Sequence, residues 1–172
     1  DGLRLEPASA PAPHPGEVII EVEYASVNPV DLETIRGDNK MLLPLRPSFV
    51  PGVDAAGVVH AVGAQVQGFA AGDHVAVYTG VPVAGCFQRY IRVPAEHVAR
   101  VPDGLELETA AALSLAGLAG KGAFEALGLG RPARVLIHGA AGSVGGAAFA
   151  LAVEAGHEVI AHVHSRDAED MR

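Results

Sequence analysis

Apolar and polar side chains alternate in short runs along the first hundred residues. In residues 17–24, Val18, Ile20 and Val22 fall on one side and Ile19, Glu21 and Glu23 on the other. A period of two predicts a half-buried strand. Similar β-rich runs over 57–62, 74–78 and 87–93 predict further strands, separated by turns with Pro and Gly. Several short strands with regular turns indicate a small barrel or sandwich.

The pattern changes after Gly104. The chain becomes rich in Ala and Leu and contains no proline until Pro132. Residues 108–115 have the composition of a helix by propensity. The sequence therefore predicts two parts, a β-rich domain over 1–104 and a second part over 105–172.

The second part contains one predicted βαβ unit. Residues 134–138 form a short apolar run of the kind that is buried in a parallel sheet. Residues 144–155 predict a helix that ends at Gly156, a usual C-cap residue, and 157–163 predict a second strand. A doubly wound sheet needs several such units to cover both faces. We therefore expect the natural protein to continue past this unit by about 150 residues on domain-size grounds, and the absence of an initiating Met suggests that the N-terminus is also incomplete.

Composition limits the classes of function. With 49% hydrophobic and 19% charged residues among 172, the chain has the balance of a globular protein. A net charge of −8 with only 12 Lys and Arg argues against nucleic-acid binding, which needs clustered cations. No run approaches the roughly 20 apolar residues of a membrane span. The single Cys86 cannot form an internal disulfide, which favours a cytoplasmic location, although a cleaved targeting segment would leave no trace.

A glycine-rich turn lies between the first strand and the helix of the βαβ unit. It contains Gly139, Ala140, Ala141, Gly142, Ser143, Val144 and Gly145. Glycines at this spacing permit a tight strand-to-helix turn and close approach of the backbone to a diphosphate. The free amides of the following helix would bind that diphosphate without a basic side chain. The order strand, turn, helix, strand is the context that this dinucleotide-binding pattern requires. The alternative is that the glycines serve tight packing only.

The end of the second strand bears on which cofactor is used. An NAD enzyme usually has a carboxylate there to bind the ribose hydroxyls. This chain has Ser165 and Arg166, which favour a 2′-phosphate, and places Asp167 one or two positions later. The prediction is NADPH. The alternative is that Arg166 is an ordinary solvated residue.

The chain resembles the medium-chain dehydrogenase/reductase superfamily, and within it the zinc-free quinone oxidoreductases, the group that includes zeta-crystallin. The matching motifs are residues 25–31 (Ala-Ser-Val-Asn-Pro-Val-Asp), 35–37 (Ile-Arg-Gly), 51–57 (Pro-Gly-Val-Asp-Ala-Ala-Gly), 62–63, 72–73, 101–104, 110–113 and 137–145. The resemblance implies an α/β protein in which a GroES-like barrel is followed by the first βαβ unit of an incomplete Rossmann domain. It also implies a homodimer.

A zinc site is not expected. A catalytic zinc needs three protein ligands and a structural zinc commonly needs four Cys, whereas this chain has one. Val53 stands where zinc alcohol dehydrogenases carry a ligand His. His162 and His164 lie two apart and could face one side of a strand, but no third ligand is apparent.

Without zinc, hydride delivery to a quinone or an α,β-unsaturated carbonyl fits, because the acceptor oxygen can spread the arriving charge. By similarity, Asn28 would lie beside nicotinamide and substrate; the alternative is a turn residue before Pro29. Asp31 is either catalytic or a helix cap. Tyr78 would donate a proton or shape the pocket, with packing as the alternative. Cys86 is predicted to be an inert core thiol.

Two departures from the relatives leave other functions open. Where many relatives have Leu-Thr-Ala, this chain has Leu118-Ala119-Gly120, so one cofactor contact is missing. Where related enoyl reductases carry a tyrosine proton donor, this chain has Asn39. The alternatives to a quinone or enone reductase are an enoyl-thioester reductase and a non-catalytic NADPH-binding sensor or structural protein.

Overall fold

A computed structural model describes residues 3–38, 49–80 and 85–167. The chain divides into two compact units, Asp1–Ser114 and Leu115–Arg172. The division falls between Ser114 and Leu115, inside a helix, and the domain boundary at residue 104 stays a prediction. Within the described residues, no helix combines the length and the apolar character that crossing a membrane requires.

The first unit is built on a five-stranded antiparallel sheet in the order β4-β1-β2-β3-β5. The strands are β1 (Glu17–Ala25), β2 (Asp54–Val62), β3 (His74–Tyr78), β4 (Tyr90–Pro94) and β5 (Val98–Arg100). Four correspond to the predicted strands; the short β5 was not predicted. The mixed α/β class with an N-terminal β-rich part is confirmed.

The core of this unit contains the predicted inner face of β1. Val18 and Ile20 pack with valines of β2 and β3 and with Ile91 of β4. Ile19, which the alternation places on the other face, is also fully buried. The pairing of β1 with β2 shifts register between Ile19 and Ile20. The beginning of β1 is therefore covered on both faces, although the strand was predicted to be half-buried.

A short helix, α1 (Pro29–Arg36), follows β1. Asn28 is its N-cap in an extended conformation, and Pro29 occupies the first helical position, where its missing N–H costs nothing. The helix ends at Gly37, whose φ of 77° is in the left-handed region that glycine adopts without strain. The motif containing Asn28 is thus fixed between a strand and a helix.

The second unit contains one βαβ unit. The elements are α2 (Leu107–Glu125), which crosses the boundary between units, β6 (Arg134–His138), α3 (Ser143–Glu154) and β7 (Glu158–His162). Strands β6 and β7 pair in parallel from Arg134 opposite Glu158 to His138 opposite His162. The predicted strand–turn–helix–strand order is confirmed; α3 ends just before Ala155, and Gly156 follows with φ 76°.

Strand β6 is covered on one face by the described residues. The apolar run was expected to be buried as in the middle of a parallel sheet, but Leu136 is 66% exposed, and its neighbour Ile160 on β7 is 47% exposed. Val135, on the other face of β6, is buried. In the described part of the second unit the two-stranded sheet is covered on the Val135 face only, and this explains the exposure of Leu136.

Candidate functional site

The glycine-rich turn is tied to the end of β7 by backbone hydrogen bonds. Gly139, with φ 76°, follows β6 directly. Its N–H and that of Ala140 both donate to the carbonyl oxygen of His162, at 2.8 and 3.2 Å. Because one carbonyl accepts both bonds, the turn and the carboxyl end of β7 are held as one piece.

The turn is too tight to accept a side chain at Gly145. A Cβ atom added there would lie 2.1 Å from the carbonyl oxygen of Gly139. That carbonyl also accepts a 2.9 Å hydrogen bond from the N–H of Gly142, whose own added Cβ would lie 3.3 Å away from it. The beginning of α3 therefore rests directly on the turn backbone, which is the close approach that glycine permits.

The N-terminus of α3 offers free backbone donors. Gly142 is the N-cap, no side chain caps it, and the first turn of the helix carries no acidic residue. The first amides of a helix have no intrahelical acceptor and carry the positive end of its dipole. Ala140 is buried under the turn, whereas residues 141–144 are exposed. The structure thus brings the predicted residues 139–145 together into a turn and the first residues of α3, with 141–144 exposed; diphosphate binding there stays a prediction.

Helix α2 touches α3 at Gly120. A Cβ atom at Gly120 would lie 2.7 Å from the Cβ of Ala147 and 2.7 Å from the carbonyl oxygen of Val144. Sequence reasoning treated Leu118-Ala119-Gly120 as a lost cofactor contact and missed this packing role. The signal was available, because a glycine inside an Ala-rich helix often marks a close helix contact.

Ser165 and Arg166 lie in a single 3₁₀ turn directly after β7. The Arg166 side chain is 79% exposed, and its Nε lies 3.4 Å from Oδ1 of Asp167. The N–H of Arg166 donates to Nδ1 of His164 at 3.2 Å. The guanidinium is accessible to a ligand, and its neighbouring carboxylate offsets part of its charge.

The histidines near this turn do not converge. His162 stacks on His138 across the parallel strands, with ring centroids 4.5 Å apart, whereas His164 contacts Arg166. Over residues 3–38, 49–80 and 85–167, no group of three or more His, Cys, Asp or Glu side chains is placed to hold a metal ion.

In the first unit, Asn28 belongs to a polar cluster that sequence reasoning did not find. Its Nδ2 donates to Oδ1 of Asp54 at 2.8 Å, and the Ser26 hydroxyl lies 2.8 Å from the same oxygen. Asp54 is fully buried at the first position of β2. Both partners lie in the quoted motifs 25–31 and 51–57. The available signal was that Asn28 follows the first predicted strand and Asp54 precedes the second, so that the two polar residues lie at ends of adjacent strands.

Asp31 holds the N-terminus of α1. Its Oδ2 accepts from the Asn28 N–H at 2.9 Å, and the residue is 1% exposed. A carboxylate in the first helical turn that reaches back to the N-cap amide is one half of a capping box. The structure shows this capping contact, and a catalytic role for Asp31 stays a prediction.

Tyr78, the last residue of β3, lies directly opposite Asp54 in the antiparallel register. Residues opposite each other in such a pair project on the same face of the sheet. Tyr78 is half-buried. The structure therefore places all three predicted catalytic residues around one end of β2, and the role of the Tyr78 phenol stays a prediction.

Cys86 is a buried thiol whose pKa is affected mainly by burial and also by Asp54 and Asp31 of this cluster. Burial raises its pKa from 9.0 to about 12, against a smaller opposing effect of the Thr79 hydroxyl, whose Oγ1 lies 3.9 Å from the sulfur. A thiol with such a pKa is protonated at neutral pH and is not a nucleophile.

Comparison with known proteins finds relatives over nearly the whole chain. Residues 14–103 match the family described as "Alcohol dehydrogenase GroES-like domain". The quinone oxidoreductase of Sus scrofa is 32% identical over 162 residues, covering 94% of this chain and 48% of that protein. An alcohol dehydrogenase superfamily protein from Novosphingobium aromaticivorans superposes with a TM-score of 0.86 at 31% identity, covering 97% of this chain and 51% of that one.

A third similar protein is the CurK enoyl reductase, with a TM-score of 0.84 at 29% identity, covering 96% of this chain and 51% of that one. The chain spans about half the length of these three proteins, at 48% to 51%.

Proposed function

The chain belongs to the alcohol dehydrogenase GroES-like family, in the quinone-oxidoreductase branch of the medium-chain dehydrogenases/reductases, and from this premise we propose that the protein is an NADPH-dependent reductase of quinones or α,β-unsaturated carbonyls that works without zinc. The observation that carries the proposal is the turn 139–145, in which Gly145 lies where any side chain would meet the Gly139 carbonyl.

The turn has the chemistry to hold a dinucleotide's diphosphate. The amides at the start of α3 donate to the phosphate oxygens, and the helix dipole stabilises their negative charge. No acidic residue in the first turn of α3 opposes that charge. In this proposal the βαβ unit is the first of a Rossmann domain. When bound, the nicotinamide would supply a hydride to the acceptor.

The preference for NADPH rests on the turn after β7. Arg166 is exposed and would bind the 2′-phosphate through charge-assisted hydrogen bonds, with the Ser165 hydroxyl as a further donor. Binding of the phosphate would draw Arg166 away from Asp167. The carboxylate of Asp167 weakens the preference, because it competes with the phosphate for the Arg166 guanidinium.

Asn28 is the residue that we propose to meet the substrate. Its amide nitrogen has two N–H groups, and one of them is used by Asp54. The second N–H of the amide can donate to the substrate oxygen or to the nicotinamide carboxamide, whereas the amide oxygen faces the Asp31 N–H in the capping box of α1. A donor aimed at the oxygen on which charge develops lowers the barrier to hydride arrival. Tyr78 is the proposed proton donor or pocket residue.

The test is a cofactor titration of the full-length protein followed by an acceptor panel. We expect NADPH to bind at least about tenfold more tightly than NADH, which corresponds to about 1.4 kcal/mol. With saturating NADPH, quinones and enones should support oxidation of the cofactor. Equal affinity for NADH would contradict the assignment to Ser165 and Arg166. Absence of cofactor oxidation with every acceptor would contradict the reductase assignment and favour a non-catalytic NADPH-binding protein.

A second candidate is enoyl-thioester reduction, favoured by the structural similarity to the CurK enoyl reductase. The panel separates the two, because this candidate predicts turnover of acyl thioesters and little turnover of simple quinones. The sequence difference bearing on it, Asn39, lies outside the described residues.

A further inference from the structure

We infer that Asp54 is a positioning residue: its carboxylate fixes the orientation of the Asn28 amide and so determines which polar atoms that amide presents to the substrate. The effect of Asp54 on catalysis rests on the proposed function. The orientation of the Asn28 amide rests only on contacts within the first unit.

The hydrogen bonds define the orientation. Oδ1 of Asp54 lies 2.8 Å from Asn28 Nδ2 and 2.8 Å from the Ser26 hydroxyl oxygen. We take the Asp54 carboxylate to be ionised, and an ionised carboxylate can only accept hydrogen bonds. The nitrogen end of the Asn28 amide must therefore face Asp54, because the flipped amide would place two acceptor oxygens against each other. The Asn28 side chain has one allowed orientation.

Asp54 is held in the middle of the sheet. It is fully buried and begins β2, which is paired on both sides, with β1 and with β3. Ala55 pairs with Ala25 of β1, and Asp54 pairs with Tyr78 of β3. A side chain on the middle strand of a sheet is a firmer support than one on a loop.

Asn28 is held at a second point. Its backbone N–H donates to Oδ2 of Asp31 at 2.9 Å. The backbone of Asn28 is thus fixed by Asp31, and its amide by Asp54. Such preorganisation removes the cost of orienting the group during the reaction. A rotation that exchanges the oxygen and nitrogen of the amide is opposed by Asp54 at the nitrogen, and the capping box, in which the amide oxygen faces the Asp31 N–H, favours the same orientation.

Ser26 supports the same arrangement. Its hydroxyl is within hydrogen-bond distance of Asp54 Oδ1 and of the carbonyl oxygen of Ala111, at 2.8 and 3.0 Å. A hydroxyl has one hydrogen, so the two acceptors share it. The serine thereby links the carboxylate to helix α2 and limits movement of Asp54.

The main test is Asp54→Asn in the full-length protein. Asn is isosteric, but it can donate as well as accept, so Asn28 could then adopt either orientation. We expect kcat with a quinone to fall on the order of 10- to 100-fold, as for other small displacements of a reacting contact, with the KM for NADPH unchanged. A purely structural role predicts a lower melting temperature with kcat per folded molecule retained, and that result would overturn the inference.

The matched control is Asp73→Asn. Asp73 is also a carboxylate of the first unit that accepts from a backbone amide, Ala70, and a side chain, Arg100. It lies in an exposed turn away from the cluster. We expect this variant to lose some stability and to keep kcat within about twofold, because surface carboxylates contribute little.

An exchange variant, Asn28→Asp with Asp54→Asn, separates packing from positioning. The hydrogen bond between the two positions can re-form with donor and acceptor exchanged, so the melting temperature should recover. Activity should not recover, because the side chain at position 28 then lacks an N–H donor. Recovery of both would show that Asp54 serves only to satisfy a buried partner.

A measurement on the unsubstituted protein covers the case in which Asp54→Asn does not fold or the protein has no reductase activity. The side-chain ¹⁵NH₂ signal of Asn28 should show one hydrogen protected from solvent exchange by Asp54. Fast exchange of both hydrogens would overturn the orientation, whereas a protected hydrogen in a protein that oxidises no NADPH would support the orientation and refute only the proposed function.

Discussion

Replacing Gly145 with Ala tests the turn most directly. The added Cβ would lie 2.1 Å from the backbone oxygen of Gly139. Ordinary contacts between such atoms are roughly 3.4 Å or longer, so the turn and the start of α3 must separate by more than about 1 Å. The oxygen cannot simply rotate away, because it also accepts from the Gly142 N–H at 2.9 Å.

The magnitude follows from two opposing effects. Overpacking of this kind costs about 1–3 kcal/mol. An Ala in a helix is favoured over Gly by about 1 kcal/mol. Gly145 lies near the helix N-terminus, where that benefit is small. We therefore expect the free energy of unfolding to fall by about 1–2 kcal/mol, and NADPH affinity to fall at least about tenfold because the diphosphate-binding amides are displaced.

Gly146→Ala is the matched control for this prediction. The same methyl group one residue later would lie 3.5 Å from the Ala140 carbonyl oxygen, which is ordinary contact. This variant should be as stable as the parent or more stable by a few tenths of a kcal/mol, because position 146 is also in the first turn of α3, with unchanged NADPH binding. Urea unfolding and NADPH fluorescence titration measure both quantities. Equal stability and equal affinity of the two variants would refute the account of the turn.

Three further predictions concern other parts of the chain. Gly120→Ala should destabilise the second unit by about 1–3 kcal/mol in urea unfolding, because α2 would collide with α3. Gly122→Ala, with open space around the added methyl group, should stabilise it by about 0.5–1 kcal/mol. Equal effects of the two substitutions would contradict the contact between the helices. Cys86 should resist alkylation at pH 8 until the protein unfolds, and rapid labelling of folded protein would contradict this. Its pKa is raised from 9.0 to about 12 in the folded state. Its contribution to stability should therefore be lost as pH rises through that window, because the unfolded chain releases its proton first. Arg166→Ala should weaken NADPH binding about tenfold and leave NADH binding unchanged, whereas Asp167→Ala should strengthen NADPH binding. An equal loss of affinity for both cofactors in Arg166→Ala would show that the arginine does not bind the 2′-phosphate.

The sequence was most informative where local rules and the fold agree. Strand β6 and the start of α3 followed from an apolar run and a glycine-rich turn, because the chemistry of that turn is set by residues adjacent in the chain. The strands of the first unit followed from alternation, although β4 begins at Tyr90 and not at residue 87.

Other features depend on residues far apart in sequence. The burial of Ile19 depends on what covers the second face of the sheet. The contact of Gly120 with α3 depends on helix packing, and the bond between Asn28 and Asp54 joins residues 26 positions apart. None of these has a signature in a local window, and sequence reasoning either missed them or assigned them a different meaning.

The attachment of the turn to His162 has a consequence for cofactor engineering. The acceptor for Gly139 and Ala140 is a main-chain carbonyl, so any amino acid at position 162 supplies it equally well. If the turn binds the diphosphate as proposed, we expect that the side chains at 165 and 166 can be exchanged to change selectivity between NADPH and NADH without weakening diphosphate binding. In this proposal, selectivity between the two cofactors and binding of the diphosphate depend on different residues. Directed evolution can then vary residues 165 and 166 while the turn is left unchanged.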